Sequence, residues 1–253
     1  MAKNNHSESE HRKRLEKILL SQASDADSKP IHDVFVYAEC VSKIENALVV
    51  VSDLTKGCSR IFKGKFPPVP WLSDYSTEDS IWERRILSLM PECERMEKFI
   101  AELRFLHYLK HCAKDKRKVC CLMSRLRFDL PEKGMTDVLH RMYYIYGEED
   151  SSVRMAVCIY SPYIFEIKGK SIVVDTTTGI AEELTDSRDD EILTRRERQI
   201  LSHISNGLKS ADIAEMLSIS HHTVNRHRQE ILAKLNVRNS VEACNLAKTM
   251  KLI

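Results

Sequence analysis

The sequence predicts two domains: an α+β front domain built on an antiparallel sheet, then an all-α domain. Three observations carry this. Between residues 47 and 175, stretches rich in β-branched residues alternate with tight turns, and strands joined in that way pair antiparallel. Over residues 193–235 the apolar period becomes that of three short helices separated by small breaks. Charge divides along the same line. Residues 191–253 hold ten Lys and Arg against six Asp and Glu, a surplus of four, while the whole chain carries +2 and the remainder therefore −2.

At 253 residues, 43% apolar and 30% charged, the chain has the composition of an ordinary folded protein with room for one large or two smaller domains. The first thirty residues contain no long apolar segment, and the longest aliphatic run, residues 47–51, is far too short to span a bilayer. A cytoplasmic location is expected. The eight cysteines are Cys40, Cys58, Cys93, Cys112, Cys120, Cys121, Cys158 and Cys244, none in C-x-x-C spacing. They are expected to be free thiols used as small core residues, with a redox switch as the alternative.

Along the front domain, residues 1–10 are polar, and residues 11–22 can form a short helix with Leu15, Ile18 and Leu19 on one side. Residues 25–30 read as a linker. Residues 31–43 return to helical spacing through Val34, Phe35, Ala38 and Val41. The period then changes. Residues 47–53 (ALVVVSD) read as a buried strand, 54–57 as a turn and 58–66 as its hairpin partner, ended by Pro67, Pro68 and Pro70. Thr77 is placed to cap a helix through Ile81, Trp82, Ile86 and Leu87. Pro91 breaks it, and a longer helix follows over 92–112. Strands at 119–130, 138–146, 153–160 and 172–175 complete the order, and residues 171–190 grade into a polar, acidic connector.

Hairpin, helical middle, then a three-strand antiparallel meander resembles the order of the PAS-type sensor domain, in which helices cover one side of a five-stranded sheet. That resemblance implies a space between sheet and helices where an unidentified small ligand can bind. The alternative is a phosphoacceptor receiver domain, with Asp53 at the end of a strand as the acceptor. A receiver needs alternating βα units and an acidic pair ending its first strand, and neither is visible; Asp53 reads as a turn residue. His107, His111 and His140 lie among apolar neighbours and are expected to be hydrogen-bonded structural residues rather than haem ligands. No phosphate loop, metal-ligand cluster or nucleophile elbow is present in the sequence pattern, so no enzyme activity, cofactor or metal is expected.

In the C-terminal domain Thr194-Arg195-Arg196-Glu197 is an S/T-x-x-E capping box. Ile200, Leu201 and Ile204 follow at helical spacing, and Asn206-Gly207 is a stop. Ser210 can cap a second helix carrying Ile213, Ala214, Met216 and Leu217. Residues 218–220 form a turn short enough to make two helices cross steeply, with Ala214 the small residue at the crossing opposite Val224. Ser220 is placed to cap a third helix ending near Leu235. On that helix Val224, Ile231, Leu232 and Leu235 read as the buried side, while Asn225, Arg226, Arg228, Gln229 and Lys234 fall largely on the other. A helical face of Asn, Arg and Gln suits the DNA major groove: Arg holds guanine, and Asn or Gln holds adenine, through paired hydrogen bonds. A solvated amphipathic helix in a bundle shows the same pattern, so both readings stand on periodicity alone.

The stretch as a whole resembles the DNA-binding domain of the LuxR/NarL-type bacterial transcription regulators. The residues that carry this are Leu193-Thr194-Arg195-Arg196-Glu197, the Gly207 turn, Ile213-Ala214-Glu215-Met216-Leu217, Ile219 through His227, Ile231 through Leu235, then Val237 and Glu242-Ala243. Two positions depart from the family: Asn225 stands where Lys is usual, and Ser240 where Arg is usual. The resemblance implies a four-helix helix-turn-helix unit that binds double-stranded DNA as a homodimer, with RNA polymerase as a partner. It places Asn225, Arg226 and Gln229 at base-reading positions, the first and last favouring A·T pairs. Ser210, Ser220, His222, Thr223 and Lys234 are placed at the DNA backbone, the first few through helix N-termini. Residues 240–250 form the last helix, and Val241, Leu246 and Met250 are its candidate dimer contacts; on the residues alone it can equally cap its own domain. The expected division is 1–30, 31–185 and 186–253. A receiver-type regulator and a helical interaction module without DNA binding are the remaining alternatives.

Overall fold

The computed structural model describes residues 16, 19–20, 31–147, 152–167, 169–184, 192–235, 237, 239–249 and 252–253. Of the expected helix 11–22 only Glu16, Leu19 and Leu20 are among them; all three are helical and Leu19 is buried. The linker 25–30, residues 148–151 and residues 185–191, which include the end of the connector, lie outside the described residues. The chain divides into two compact units, one over 15–184 and one over 185–253.

The front unit begins with α1 (Ile31–Ile44), β1 (Leu48–Asp53) and β2 (Cys58–Lys63). A 3-10 turn at Pro70–Asp74 leads to β3 (Thr77–Glu78), α2 (Arg84–Leu87), α3 (Glu92–His111) and α4 (Lys114–Lys118). The last strands are β4 (Cys120–Leu130), β5 (Gly134–Tyr146), β6 (Val153–Pro162), β7 (Ser171–Asp175) and β8 (Ala181–Glu183). They form one sheet in the order β3-β2-β1-β6-β5-β4-β7-β8. Every pairing in it is antiparallel. The expected hairpin is the β1–β2 pair, and β4, β5 and β6 form the expected meander. The edge strands β3 and β8 are only two and three residues long, which leaves little unpaired backbone.

Why β1 is apolar throughout is clear from its place. All six of its residues are buried, because helices cover both faces of the sheet. On one face Val49, Val51, Met155, Val157 and Ile159 pack with Ala38, and Val34, Phe35 and Val41 of α1 lie over them, as their spacing predicts. On the other face α3 brings Phe105 into a stack with Tyr144 at 5.7 Å. Its Glu94 holds Arg127 of β4. This departs from the PAS-type expectation in two respects, eight strands instead of five and helices on both sides instead of one. The receiver alternative fails, since it needs parallel strands. Asp53 is 4% exposed, and its Oδ1 accepts from Thr55 N, Thr55 Oγ1 and Lys56 N at 3.0, 2.6 and 3.1 Å, the bonding of a turn residue.

The helix expected from Thr77 is largely replaced. Thr77 and Glu78 pair with β2. The Ser59 hydroxyl donates to Ser80 O at 2.7 Å, that of Ser52 to Ile81 O at 3.1 Å, and Trp82 N donates to Ser80 Oγ at 3.0 Å. The first two of these bonds reach in from β1 and β2, and together the three take up backbone groups that a helix would use; only Arg84–Leu87 is helical. All eight cysteines are free. His140 also departs from expectation. It is fully buried, yet neither ring nitrogen has a hydrogen-bond partner. Burial and the Lys98 ammonium hold its imidazole well below the usual range, so it is neutral. A recess of about 180 Å³ lined by Leu106, Leu109, Lys110, Arg117, Tyr146 and Val153 is smaller than the usual small-molecule pocket, roughly 300 Å³ and upward.

Candidate nucleic-acid interface

The C-terminal unit contains α5 (Arg195–Ser205), α6 (Ser210–Met216), α7 (His221–Leu235) and α8 (Ser240–Thr249). The capping box opens α5 as expected. Thr194 N donates to Glu197 Oε2 at 2.7 Å, and Glu197 N donates to Thr194 Oγ1 at 3.3 Å. Gly207 ends the helix with φ +84°, a conformation that costs a residue with a Cβ. The amides of Gly207 and Leu208 return to Ile204 O and His203 O at 3.0 and 3.2 Å, so two of the helix's last carbonyls are satisfied.

The second turn is built the same way without glycine. Ser218 takes φ +50°; its amide and that of Ile219 return to Glu215 O and Ala214 O at 3.1 and 3.0 Å. Ser220 then caps α7, its Oγ accepting from Thr223 N at 3.0 Å. Ile213, Ala214, Val224, Ile231 and Leu235 are buried together with Ile200 and Leu201. Each of the large ones contributes about 1.5–3 kcal/mol of burial free energy. Met216 is the exception among the predicted apolar positions, at 60% exposure.

Those buried contacts leave His221, His222, Asn225, Arg226 and Gln229 exposed along one side of α7. Asn225 Nδ2 lies 3.3 Å from His221 Nδ1, and Arg226 Nε lies 3.4 Å from Glu230 in a pair whose side chains are 66% and 42% exposed. All three expected base readers thus stand on the solvent side of a braced helix. Of the expected backbone contacts, Ser220 and His222 are exposed and Thr223 is half-buried.

Ser210 and Arg228 lie elsewhere than expected. Ser210 is 8% exposed, and Lys209, not Ser210, is the residue that precedes α6. The Arg228 guanidinium turns back from the outer face to donate to Ser210 Oγ at 2.6 Å and Ser240 Oγ at 2.9 Å. One side chain on α7 therefore ties the start of α6 to the start of α8. Ser240, unusual against the family pattern, is the hydroxyl that this geometry uses. Lys234 is 40% exposed, with its ammonium donating to Glu197 Oε2 at 2.7 Å. Burial pushes the Glu197 carboxyl upward, but the bonds from Lys234 and from Thr194 outweigh it and hold it below its usual range.

Sequence reasoning gave Arg196 no role beyond the motif. Its Nη2 donates to Leu217 O at 3.0 Å, closing the end of α6 against α5. The only signal was an Arg in the first turn of α5, too weak to name a partner at the end of the next helix, 21 residues on. In α8, Asn239 accepts from Glu242 N at 2.9 Å and caps the helix. Ala243, Cys244 and Ala247 face their own domain, and Val241 is 70% exposed. Of the other expected dimer contacts, Met250 and the side chain of Leu246 lie outside the described residues.

Residues 191–247 match the family model for bacterial regulatory proteins of the luxR family. Among curated proteins, the transcriptional regulatory protein UhpA of Salmonella typhimurium is 42% identical over 66 residues, 26% of this chain and 33% of that protein. The oxygen regulatory protein NreC of Staphylococcus epidermidis is 36% identical over 87 residues, 31% of this chain and 40% of its own. The matched segment thus spans between a third and two fifths of the length of these relatives. Among solved structures, Vibrio cholerae VqmA in a ligand–DNA complex aligns at 12% identity and TM-score 0.29 over 86% of this chain and 85% of its own. Escherichia coli SdiA aligns at 16% and 0.27 over 94% and 97%.

Proposed function

Residues 191–247 being a luxR-family regulatory domain, we propose that this chain is a transcription regulator whose α7 reads the DNA major groove. The observation that supports it best is the exposed Asn225, Arg226 and Gln229 side of a helix whose other side is closed by Val224, Ile231 and Leu235. Asn225 and Gln229, one turn apart, would take A·T pairs, and Arg226 a guanine or a phosphate. Ser220, His222 and Thr223 at the helix start would meet the backbone, and Ser210 would do so through its amide, since its hydroxyl is engaged. Lys234 has further ammonium protons for a phosphate oxygen while it holds Glu197.

The chain would act in the cytoplasm as a homodimer on half-sites about one helical turn apart, with RNA polymerase as a further partner. The division into 1–30, a sensor domain at 31–185 and a DNA-binding domain at 186–253 belongs to this proposal, as does control by a small molecule bound in the front domain. The test is fluorescence anisotropy of the full chain with an A·T-rich duplex across a salt series. Tight binding whose logarithm falls linearly with the logarithm of salt is expected. A chain that binds no duplex at low salt would be a helical interaction module instead.

A further inference from the structure

The interior of the front unit holds polar side chains for which DNA reading has no use. Lys98 and Glu102, one turn apart on α3, meet at 2.6 Å, and Lys98 also lies 3.4 Å from Glu83. Glu83 accepts from the Tyr160 hydroxyl at 2.5 Å. The side chains of Lys98, Glu83 and Glu102 are no more than 3% exposed. His140 lies beneath them, its Nε2 3.8 Å from Glu102 Oε1 and its ring stacked on Tyr160 at 4.9 Å. The β5–β6 register sets Cys158 opposite Met142, the next residue on the His140 side of the sheet. One donor atom each from Glu102, His140 and Cys158 therefore lies within 4.8 Å of the other two, and all three residues are buried.

We propose that Glu102, His140 and Cys158 form a binding site for a divalent transition-metal ion of the zinc class. The donor set selects the class: one thiolate, one imidazole and one carboxylate suit zinc and its neighbours, whereas calcium and magnesium take oxygen ligands. The spacing suits a single ion. An oxygen and a nitrogen ligand about 2.0–2.2 Å from a tetrahedral zinc stand roughly 3.3–3.5 Å apart; the Glu102–His140 separation is 3.8 Å and all three donors lie within 4.8 Å, so the side chains would close by some tenths of an ångström on the ion.

The surrounding groups suit a cation as well: two carboxyl groups, Glu83 and Glu102, stand around the single Lys98 ammonium in a buried interior, so an added cation meets more acidic than basic side chains. When the ion binds, the Cys158 S–H bond breaks, its proton goes to solvent and a metal–sulfur bond forms. Lys98 and the ion then supply three positive charges against three negative ones on Glu83, Glu102 and Cys158. The unpartnered His140 gains a partner. Lys98 fixes the Glu102 carboxylate, as outer partners of metal-bound carboxylates do.

The test is a cobalt(II) titration of the tag-free, metal-stripped full chain under reducing conditions. One equivalent is expected to bind with a near-ultraviolet sulfur-to-cobalt charge-transfer band and the visible bands of a tetrahedral ion, both lost on adding zinc. Cys158→Ser should remove the charge-transfer band, and Cys244→Ser, in the other unit, should keep it. Saturable cobalt binding without the sulfur band would place the ion elsewhere, for example at Glu197, His227 and Glu230, and overturn the proposal. So would no saturable binding, or a band that survives Cys158→Ser. Should Cys158→Ser not fold, zinc-edge X-ray absorption on the wild-type chain decides. One sulfur at about 2.3 Å with nitrogen and oxygen at about 2.0 Å supports the site, and a shell without sulfur refutes it. These readouts do not involve DNA, so the failure of this site and the failure of the DNA-binding reading are separable.

Discussion

Two neighbouring side chains on α7 point to opposite duties. Arg228 turns inward to the hydroxyls of Ser210 and Ser240, while Gln229 faces solvent. Hydrogen bonds to a charged group are worth about 1.5–3 kcal/mol, and Arg228 is only half-buried, so Arg228→Ala should cost about 1–3 kcal/mol in urea unfolding. It should weaken binding to all duplexes alike. Gln229→Ala should leave stability within about 0.5 kcal/mol and relax preference at one base pair by about 1–3 kcal/mol. Competition binding on single-position duplex variants reads the difference. If the two effects exchange places, the faces of α7 are misassigned. Ser218 offers a purely conformational check at the same scale. Its positive φ is unfavourable for any residue with a Cβ, so Ser218→Gly should raise stability by up to about 1 kcal/mol in thermal unfolding, with DNA binding unchanged.

Among the elements, α5 carries an acid-side pH dependence through Glu197. The folded Glu197 carboxyl titrates below its usual range. Its contribution is therefore complete above the ordinary carboxylate value of about 4.3 and is lost as pH falls through the lowered folded value. Denaturant midpoints taken between pH 6 and 3 should show a drop at the acid end that Lys234→Met flattens; an unchanged drop in that variant would remove Lys234 from the account. In the front unit, a Cβ at Gly64 would run into the backbone of Ser42 and Asn46 at the end of α1. Gly64→Ala should thus destabilise β2 and its neighbours by about 1–3 kcal/mol. The local elements were legible where the signal was local: the Thr194–Glu197 box, the Gly207 stop, the Ser220 cap, the apolar face of α1. What failed were stretches decided at long range. Thr77 looked like a cap until the hydroxyls of Ser52 and Ser59 captured the backbone at 80 and 81. The short strand β8 has no β-branched residue to announce it. The inward turn of Arg228 depends on two serines from other helices. The Glu102, His140 and Cys158 group has no spacing motif, because its members come from three elements.

For the whole molecule, charge and fold divide the chain in nearly the same place. Residues 191–253, within the helix-turn-helix unit, hold a surplus of four positive charges, and the remaining residues 1–190 carry −2. Binding should therefore respond to salt through the C-terminal unit, and Lys234→Ala should reduce the slope of log affinity against log salt by about 1. Among the described residues no helix is long and apolar enough to cross a membrane. The measurement that bears most directly on the central claim is selection of bound duplexes from a random pool, run in parallel with the wild-type chain and with Gln229→Ala. The wild-type chain should enrich a two-fold symmetric site with A·T pairs under Asn225 and Gln229, and the variant should lose its preference at one pair in each half-site. A pool that stays random, or a variant that enriches the identical site, would contradict it.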